Sequence, residues 1–284
     1  MLRAARLDIV KPLISNMRSL RRELRTMASQ FAASRLSRPR SFLGLDEFLR
    51  DFQPPTEIFD PNGTWEHRYR VCVVRTEPKK GWLCQSSGAL GLRRKPANGD
   101  TFRLEVSFGA IQGGNVMDRL EAQLTCKADR PGSLLSWERR SLLLDRKGDP
   151  VADILTKETG KVAQGVVRRQ GIRERRIRVR DPVTCNWCLF DAVQRLPFHN
   201  APFLNFTMLE ELDLLRPNQR LAYRQTIVLE LGGRRVRLHG FEQFGEGILP
   251  YTYWLDEQHR VLFAIGGLRA YLFDPKATLP EVRL

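Results

Sequence analysis

The dipeptide Gly232-Gly233 constrains the fold of this chain more than any other stretch. Two glycines readily adopt the positive φ angles that a two-residue hairpin turn of the primed type needs. A turn there pairs Leu229 with Val236 and Ile227 with Leu238, so that apolar side chains meet on one face and opposite charges meet on the other. A shift of the register by one residue would place apolar and charged side chains on the same face. The sequence therefore predicts an antiparallel hairpin of fixed register.

A second hairpin is predicted between Tyr251 and Ile265, around the polar turn Asp256-Glu257-Gln258-His259. A type I turn with His259 in the left-handed position, followed by a bulge, gives a wholly apolar face. The pairs in that register are Leu255 with Val261, Tyr253 with Phe263 and Tyr251 with Ile265.

Further strands precede these hairpins. Apolar and polar residues alternate over 64–76, 102–108, 119–126, 134–145, 162–169 and 172–180, which predicts half-buried strands there. No alternation of strand and helix is visible, so the strands are expected to pair mainly antiparallel.

One helix is predicted between the two groups of strands, at about residues 185–196. Apolar residues recur at spacings of three from Trp187 to Leu196, Thr184 precedes them as an N-cap, and Pro197 ends the helix. We therefore predict a mainly β fold over residues 60–275, a curved antiparallel sheet or unclosed barrel with this one embedded α-helix.

Residues 1–55 are predicted to form a basic N-terminal extension, helical or flexible. The chain has a formal charge of +15, and residues 1–50 hold eleven Lys or Arg and four acidic residues. Residues 1–30 have the periodicity of a basic amphipathic helix, which suggests peripheral contact with an anionic membrane. A loosely attached surface helix, or a leader read as protein, is the favoured alternative. Deletion of residues 1–50 is then expected to leave the melting temperature nearly unchanged. Neither a secretory signal nor a transmembrane segment is recognisable.

Three stretches make the chain resemble an uncharacterised bacterial family of β-proteins, which is similar in architecture to periplasmic lipoprotein carriers. They are Asn186–Val193 in the helix, Tyr253–Arg260 at the second hairpin and Gly267–Tyr271 near the end. In those carriers a curved antiparallel sheet wraps around a helix as an unclosed barrel. The resemblance covers roughly residues 60–275. It implies that fold, an apolar cavity and the cell envelope, and it supplies no catalytic residues.

The leading functional hypothesis is a non-catalytic binding or carrier protein for a lipid or another apolar or amphiphilic ligand. The apolar faces of both hairpins are expected to point at the helix and to enclose one space. The residues expected to line it are Trp187, Phe190, Tyr251, Tyr253 and Phe263. A filled core would use the same residues. No cofactor and no metal are expected.

An arginine-rich run supports an alternative, a basic-surface protein that binds nucleic acid or an anionic membrane. Its members are Arg168, Arg169, Arg173, Arg175, Arg176, Arg178 and Arg180. No aromatic residues interleave with them to stack bases, so nucleic acid is the less favoured partner. The same arginines also suit the solvent face of a curved sheet.

Five cysteines, an odd number spread over a long chain, do not indicate a disulfide framework. Cys185 and Cys188 form a C-x-x-C pattern at the start of the helix, where redox or metal chemistry is conceivable. Cys126 and His199 are the residues that would complete four zinc ligands. Packing of two small side chains is the favoured interpretation.

A third hypothesis is a hydrolase of unidentified type. Its only support is His239, with Glu242 and Glu246 as its acidic neighbours. Side chains alternate along a strand, so residues 239 and 242 face opposite sides unless a bulge intervenes. The acidic residues Glu210, Glu211 and Asp213 are interpreted as a solvated face. The balance of these patterns is against an enzyme.

Overall fold

The computed structural model of the protein describes residues 39, 42, 44–77, 81–111, 116–145, 147–171 and 173–279. The helical pattern over residues 1–30 lies outside this range. Two α-helices occur in it, α1 (Asp46–Asp51) and α2 (Asn186–Gln194). Fifteen strands make up most of the remainder: β1 (Trp65–Glu77), β2 (Gly81–Pro96), β3 (Thr101–Ile111), β4 (Met117–Lys127), β5 (Leu134–Leu144), β6 (Pro150–Ala163), β7 (Val166–Gln170), β8 (Arg175–Arg178), β9 (Val183–Thr184), β10 (Leu204–Glu210), β11 (Leu214–Leu231), β12 (Arg234–Gly245), β13 (Tyr251–Leu255), β14 (Val261–Gly266) and β15 (Arg269–Phe273).

All fifteen strands belong to one sheet, which confirms the predicted mainly β fold. Strands β1 to β8 follow one another from the middle of the sheet to one edge, and β15 to β9 follow one another to the other edge. The pair of β1 and β15 joins the two halves. Every pairing is antiparallel except that of β9 with β10.

The sheet curls but stays unclosed. Its edge strands, β8 and β9, are separated in sequence by only four residues, 179–182. A connection of that length spans at most about 18 Å, so the two edges approach each other. They do not pair, and the described strands therefore form an open sheet rather than a closed one.

Helix α2 packs on the inner face of this sheet. Its residues from Trp187 to Gln194 are all buried. The ring of Phe190 lies 5.1 Å from that of Tyr69, 5.6 Å from Tyr253 and 5.7 Å from Tyr271, measured between centroids. Because these tyrosines come from β1, β13 and β15, the middle of the sheet wraps around the helix. We call the face that carries them the inner face.

The opposite, outer face is covered by the segment that contains α1. The Phe263 ring of β14 lies 5.1 Å from Phe52 and 6.5 Å from Phe48. Leu49 is buried, and its carbonyl oxygen accepts a hydrogen bond of 3.0 Å from the backbone N–H of Gly232. Helix α1 thus packs on the sheet, and the sheet is apolar on both faces in this region.

The predicted Gly232-Gly233 hairpin is confirmed in its turn and its register. The two glycines have φ angles of 53° and 75°, and Leu229 pairs with Val236 and Ile227 with Leu238. The expected direction of its apolar face is wrong, however. Leu238 shares its face with Gly240, which pairs with Trp254, and Trp254 pairs with Phe263 on the outer face.

The predicted register of the second hairpin is correct only next to its turn. His259 has the expected positive φ of 67°, and Leu255 pairs with Val261. Beyond that pair a bulge shifts the register, so that Trp254 pairs with Phe263 and Tyr253 with Ala264. Since side chains alternate along a strand, one extra residue moves Phe263 to the outer face.

Two local predictions are corrected as well. The N-cap of α2 is Cys185, whose Sγ accepts a hydrogen bond from the backbone N–H of Cys188, whereas the Thr184 hydroxyl donates to the carbonyl of Pro131. The strand predicted over residues 162–169 is interrupted by a hairpin turn at Gln164-Gly165, whose φ angles are 51° and 69°. That turn separates β6 from β7. It sets the register of these two strands, which the sequence pattern did not predict.

Candidate ligand-binding cleft

A cleft of about 480 Å³ lies on the inner face of the sheet near the β8 edge, and we call it the cationic cleft. Its walls come from β5, β6, β7, β8 and the turn between β10 and β11. The lining residues are Arg139, Thr156, Lys157, Glu158, Arg169, Gly171, Arg173, Arg175 and Asp213. Lys157 belongs to the rim, because its position in β6 directs its side chain to the outer face.

Strand pairing explains why these arginines face inward. Direct partners across seven adjacent strands run in the order Arg94, Leu104, Leu124, Trp137, Gly160, Arg169 and Arg175. Arg94 forms an ion pair with Asp191 of α2, which identifies this row as part of the inner face. The tight turn at Gln164-Gly165 sets the register of β7, and the register of β7 with β8 then brings Arg175 opposite Arg169.

The seven-arginine run therefore divides between the two faces. Arg169 and Arg175 face the cleft, and Arg173 lines it from the segment before β8. Arg168 pairs with Arg176, and Arg178 with Val166, so these arginines alternate to the outer face. Arg180 lies beyond the end of β8 and is exposed. The predicted basic patch is thus two patches, and the arginines of the inner one line the cleft.

Arg169 holds the cleft together. It is buried, and one of its guanidinium nitrogens lies 2.6 Å from Glu158 and 2.7 Å from Asp213. Glu158 also accepts a hydrogen bond of 3.2 Å from the indole of Trp137, which restricts the position of the carboxylate. The Arg169 hydrogen bond, together with the charges of Arg139 and Arg175, lowers the pKa of Asp213, so that this carboxylate is ionised at neutral pH.

Three further arginines of the cleft form no ion pair with any described carboxylate. Arg139 donates to the hydroxyl of Ser141 and to the carbonyl of Glu211. No carboxylate oxygen of the described residues lies within 4.0 Å of a guanidinium nitrogen of Arg139, Arg173 or Arg175. The four arginines and two acids of the inner wall leave a formal charge of +2 in a concave site, which attracts anions.

The turn between β10 and β11 closes the cleft on one side. Glu211 and Leu212 have positive φ angles of 48° and 60°, and Leu212 is fully buried. The acids interpreted from sequence as a solvated face are partly exposed and also form ion pairs: Glu210 with Arg216, Glu211 with Arg269 and Asp213 with Arg169. The Asn186 side chain accepts a hydrogen bond from the Glu211 backbone, which ties this turn to α2.

The five residues predicted to line an apolar cavity are not brought together on one wall. Trp187, Phe190 and Tyr253 are buried at the interface of α2 with the sheet. Tyr251 is half-buried, 4.9 Å from the Tyr253 ring, and Phe263 lies on the other face. Close ring contacts occupy this interface, as expected for a packed core.

The surroundings of His239 agree with the strand alternation expected from sequence. Glu242 pairs with Arg224, away from the histidine, as strand alternation required. The Nδ1 atom of His239 lies 3.3 Å from the hydroxyls of Tyr223 and Thr226, and the His239 ring stacks on Phe198 at 3.7 Å. Burial lowers the pKa of His239. This environment positions a neutral imidazole and provides no acid–base pair with the glutamates.

Sequence reasoning missed Arg139, Glu158 and Asp213 as parts of the site. Arg139 and Asp213 are distant in sequence from the arginine run, Glu158 lies on the strand directly before it, and the local pattern of each suits an ordinary strand or turn. For the less favoured zinc interpretation of Cys185 and Cys188, the described part of the chain contains no group of three or more His, Cys, Asp or Glu residues arranged to hold a metal ion. Neither of the two described helices has the length or apolarity needed to cross a bilayer.

No family model matches the chain, and no curated protein matches it. Among solved structures, the chain is similar to the beta-barrel-like protein of domain of unknown function DUF1849 from Brucella abortus, with 8% sequence identity and a TM-score of 0.48. The match covers 77% of this chain and 98% of the other. It gives no support to the expected likeness to lipoprotein carriers, and at this level of similarity it carries no argument about function.

Proposed function

We propose that this is a non-catalytic binding protein for an amphiphilic ligand, and that the cationic cleft takes the ligand's anionic head group. The observation that carries the proposal is a set of three arginines around a space of about 480 Å³, Arg139, Arg173 and Arg175, none of which has a carboxylate of the described residues within 4.0 Å. Arginine binds carboxylate and phosphate oxygens through paired N–H donors, so a head group with two or more such oxygens fits this wall.

Apolar surface next to the cleft supports an amphiphile over a small inorganic anion. Ile177 pairs with Val167 on the inner face, two pairs along the ladder from Arg169 and Arg175, and remains half-buried. Leu214, which follows Asp213 in the chain, leaves 50% of its surface exposed. These two side chains provide apolar contact for the part of the ligand that adjoins the head group.

This site differs from the cavity that the sequence suggested between sheet and helix. The aromatic side chains at that interface contact each other, so a ligand there would have to displace the core. A ligand in the cationic cleft replaces water and leaves the packing of α2 unchanged.

The test compares two double variants that remove the same charge. Arg173→Ala/Arg175→Ala removes cleft arginines, and Arg168→Ala/Arg178→Ala removes arginines of the same segment that lie on the outer face. Titration calorimetry with dodecyl phosphate below its micelle concentration should show saturable binding to the parent chain. The cleft variant should bind at least about tenfold more weakly, a loss of about 1.4 kcal/mol, and the control should stay within about twofold of the parent.

Two further probes decide between ligand classes. Dodecyltrimethylammonium should not bind, because its head group carries the wrong sign. A single-stranded oligonucleotide that bound the parent, and lost affinity equally in both variants, would instead favour the basic-surface hypothesis. Absence of saturable dodecyl phosphate binding by the parent would reject the proposal.

A further inference from the structure

Three of the five cysteines meet at one buried point of the fold. Cys126 comes from β4, Cys185 is the N-cap of α2 and Cys188 lies in the first turn of α2. The Sγ atom of Cys188 lies 3.1 Å from that of Cys185 and 3.3 Å from that of Cys126. All three residues are fully buried. The sequence grouped Cys126 with the C-x-x-C pair only as a possible zinc ligand, because no local pattern brings it close to the other two cysteines.

From this contact we infer a disulfide site centred on Cys188, which forms one bond, either with Cys126 or with Cys185. A disulfide bond is about 2.05 Å long, so either bond requires a movement of only about 1 Å from the observed sulfur positions. Both bonds use the same Cys188 sulfur, and one thiol of the three always remains free. The inference is independent of the ligand proposed for the cationic cleft.

The reaction needs an oxidant, and a low-molecular-weight disulfide such as oxidised glutathione supplies it. The Cys188 thiolate attacks one sulfur of the oxidant, forms a mixed disulfide and releases one thiolate. The thiolate of Cys126 or Cys185 then attacks the Cys188 sulfur and releases the second. The protein loses two electrons and two protons, and the oxidant becomes two thiols.

The buried position determines when this exchange occurs. The thiolate is the reacting form, and burial raises the pKa of all three thiols. A mixed disulfide with glutathione also needs more room than the packed site offers. Oxidation is therefore expected while α2 is undocked, during folding, and the folded reduced protein should react slowly.

The two possible bonds have different consequences. A bond between Cys126 and Cys188 ties β4 to α2 and closes a loop of about 60 residues, which should raise the Tm by about 5–10 °C. A bond between Cys185 and Cys188 closes only the first turn of α2 and should raise the Tm less.

The test refolds the full reduced chain in a mixture of reduced and oxidised glutathione, blocks the remaining thiols and digests the protein with trypsin. Cys126 then lies in the peptide of residues 120–127, and Cys185 and Cys188 lie together in the peptide of residues 181–195. In the parent chain, a bond between Cys126 and Cys188 joins the two peptides, whereas a bond between Cys185 and Cys188 lowers the mass of the second peptide by two hydrogens. Cys126→Ser should retain only the internal bond and Cys185→Ser only the joined peptides, whereas Cys188→Ser should have neither.

Two results would overturn the inference. One is a parent chain whose three thiols are all blocked after refolding in oxidised glutathione. The other is a Cys188→Ser chain that joins Cys126 to Cys185 as completely as the parent forms its bond. The parent digest decides the first point even where a variant fails to fold.

Discussion

The carboxylate of Asp191 in α2 lies 2.7 Å from the Nε atom of Arg94 in β2, and both side chains are almost completely buried, with 0% and 3% of their surface exposed. The same carboxylate pairs with Arg195 at 2.8 Å. Both arginines also lie over the ring of Phe102. One acidic residue thus forms ion pairs with two buried cations and fixes the helix against the first half of the sheet.

Replacement of Asp191 by Asn is expected to destabilise the protein by about 3–5 kcal/mol, because the change leaves two buried guanidinium groups without a counter-charge. Urea denaturation followed by tryptophan fluorescence measures the loss. Asp149→Asn removes an exposed carboxylate and should change the stability by less than about 0.5 kcal/mol. Similar losses in both variants would contradict the assigned role of the buried pair.

The Phe263→Ala change tests whether the outer face is a packed core. Phe263 is fully buried against Phe52 and Phe48, so its truncation should cost about 3–5 kcal/mol. Phe203→Ala, at a position that is 51% exposed, should cost far less. Dodecyl phosphate binding should be unchanged in any Phe263→Ala protein that remains folded, since Phe263 lies on the face opposite the cationic cleft.

Deletion of residues 1–50 is expected to lower the Tm by more than about 5 °C, unlike the nearly neutral effect predicted from sequence. The deletion removes Leu45 and Leu49, which expose 0% and 5% of their surface. Leu49→Ala alone should cost about 2–3 kcal/mol, and Ile58→Ala, at a position that is 97% exposed, should be nearly neutral. An unchanged Tm after the deletion would show that α1 contributes no packing energy.

Stability should fall as the pH is lowered below about 6.5, and His67 should be one cause. Burial, assisted by the charge of Arg260, lowers the pKa of His67 from 6.5 to about 3. Between those values the unfolded chain binds a proton that the folded chain does not. The stabilisation is therefore complete above pH 6.5 and is lost, by at most about 1.4 kcal/mol per pH unit, as the pH falls toward 3.

Two variants test the role of His67: His67→Phe removes the titrating group, and His199→Gln serves as the control. His67→Phe keeps an aromatic ring in the stack with Trp65 and Phe59 and should flatten the dependence of the unfolding free energy between pH 6.5 and 4. His199→Gln changes an exposed histidine and should leave the slope as it is in the parent. Equal slopes in the parent and in His67→Phe would rule out His67 as a contributor.

Local features of the sequence determined the mainly β class, the helix at 186–194 and the register at Gly232-Gly233. Each depends on residues within a few positions of one another. Two adjacent glycines permit one tight turn, and the position of that turn fixes which residues of the two strands pair. The C-x-x-C pattern likewise indicated correctly that two thiols meet at the start of α2, because a single helical turn brings them together.

Tertiary structure decided what lies on each face and what meets in the sites. One bulged residue beyond the His259 turn moved Phe263 from the expected inner face to the outer face, where α1 covers it. Whether a residue bulges depends on packing on both sides of the sheet, and the covering helix lies about 200 positions away in sequence. The cationic cleft depends on the same distant relationships. Its arginines meet Asp213 only because the sheet curls until its two edges approach each other. That curvature cannot be predicted from any local sequence pattern.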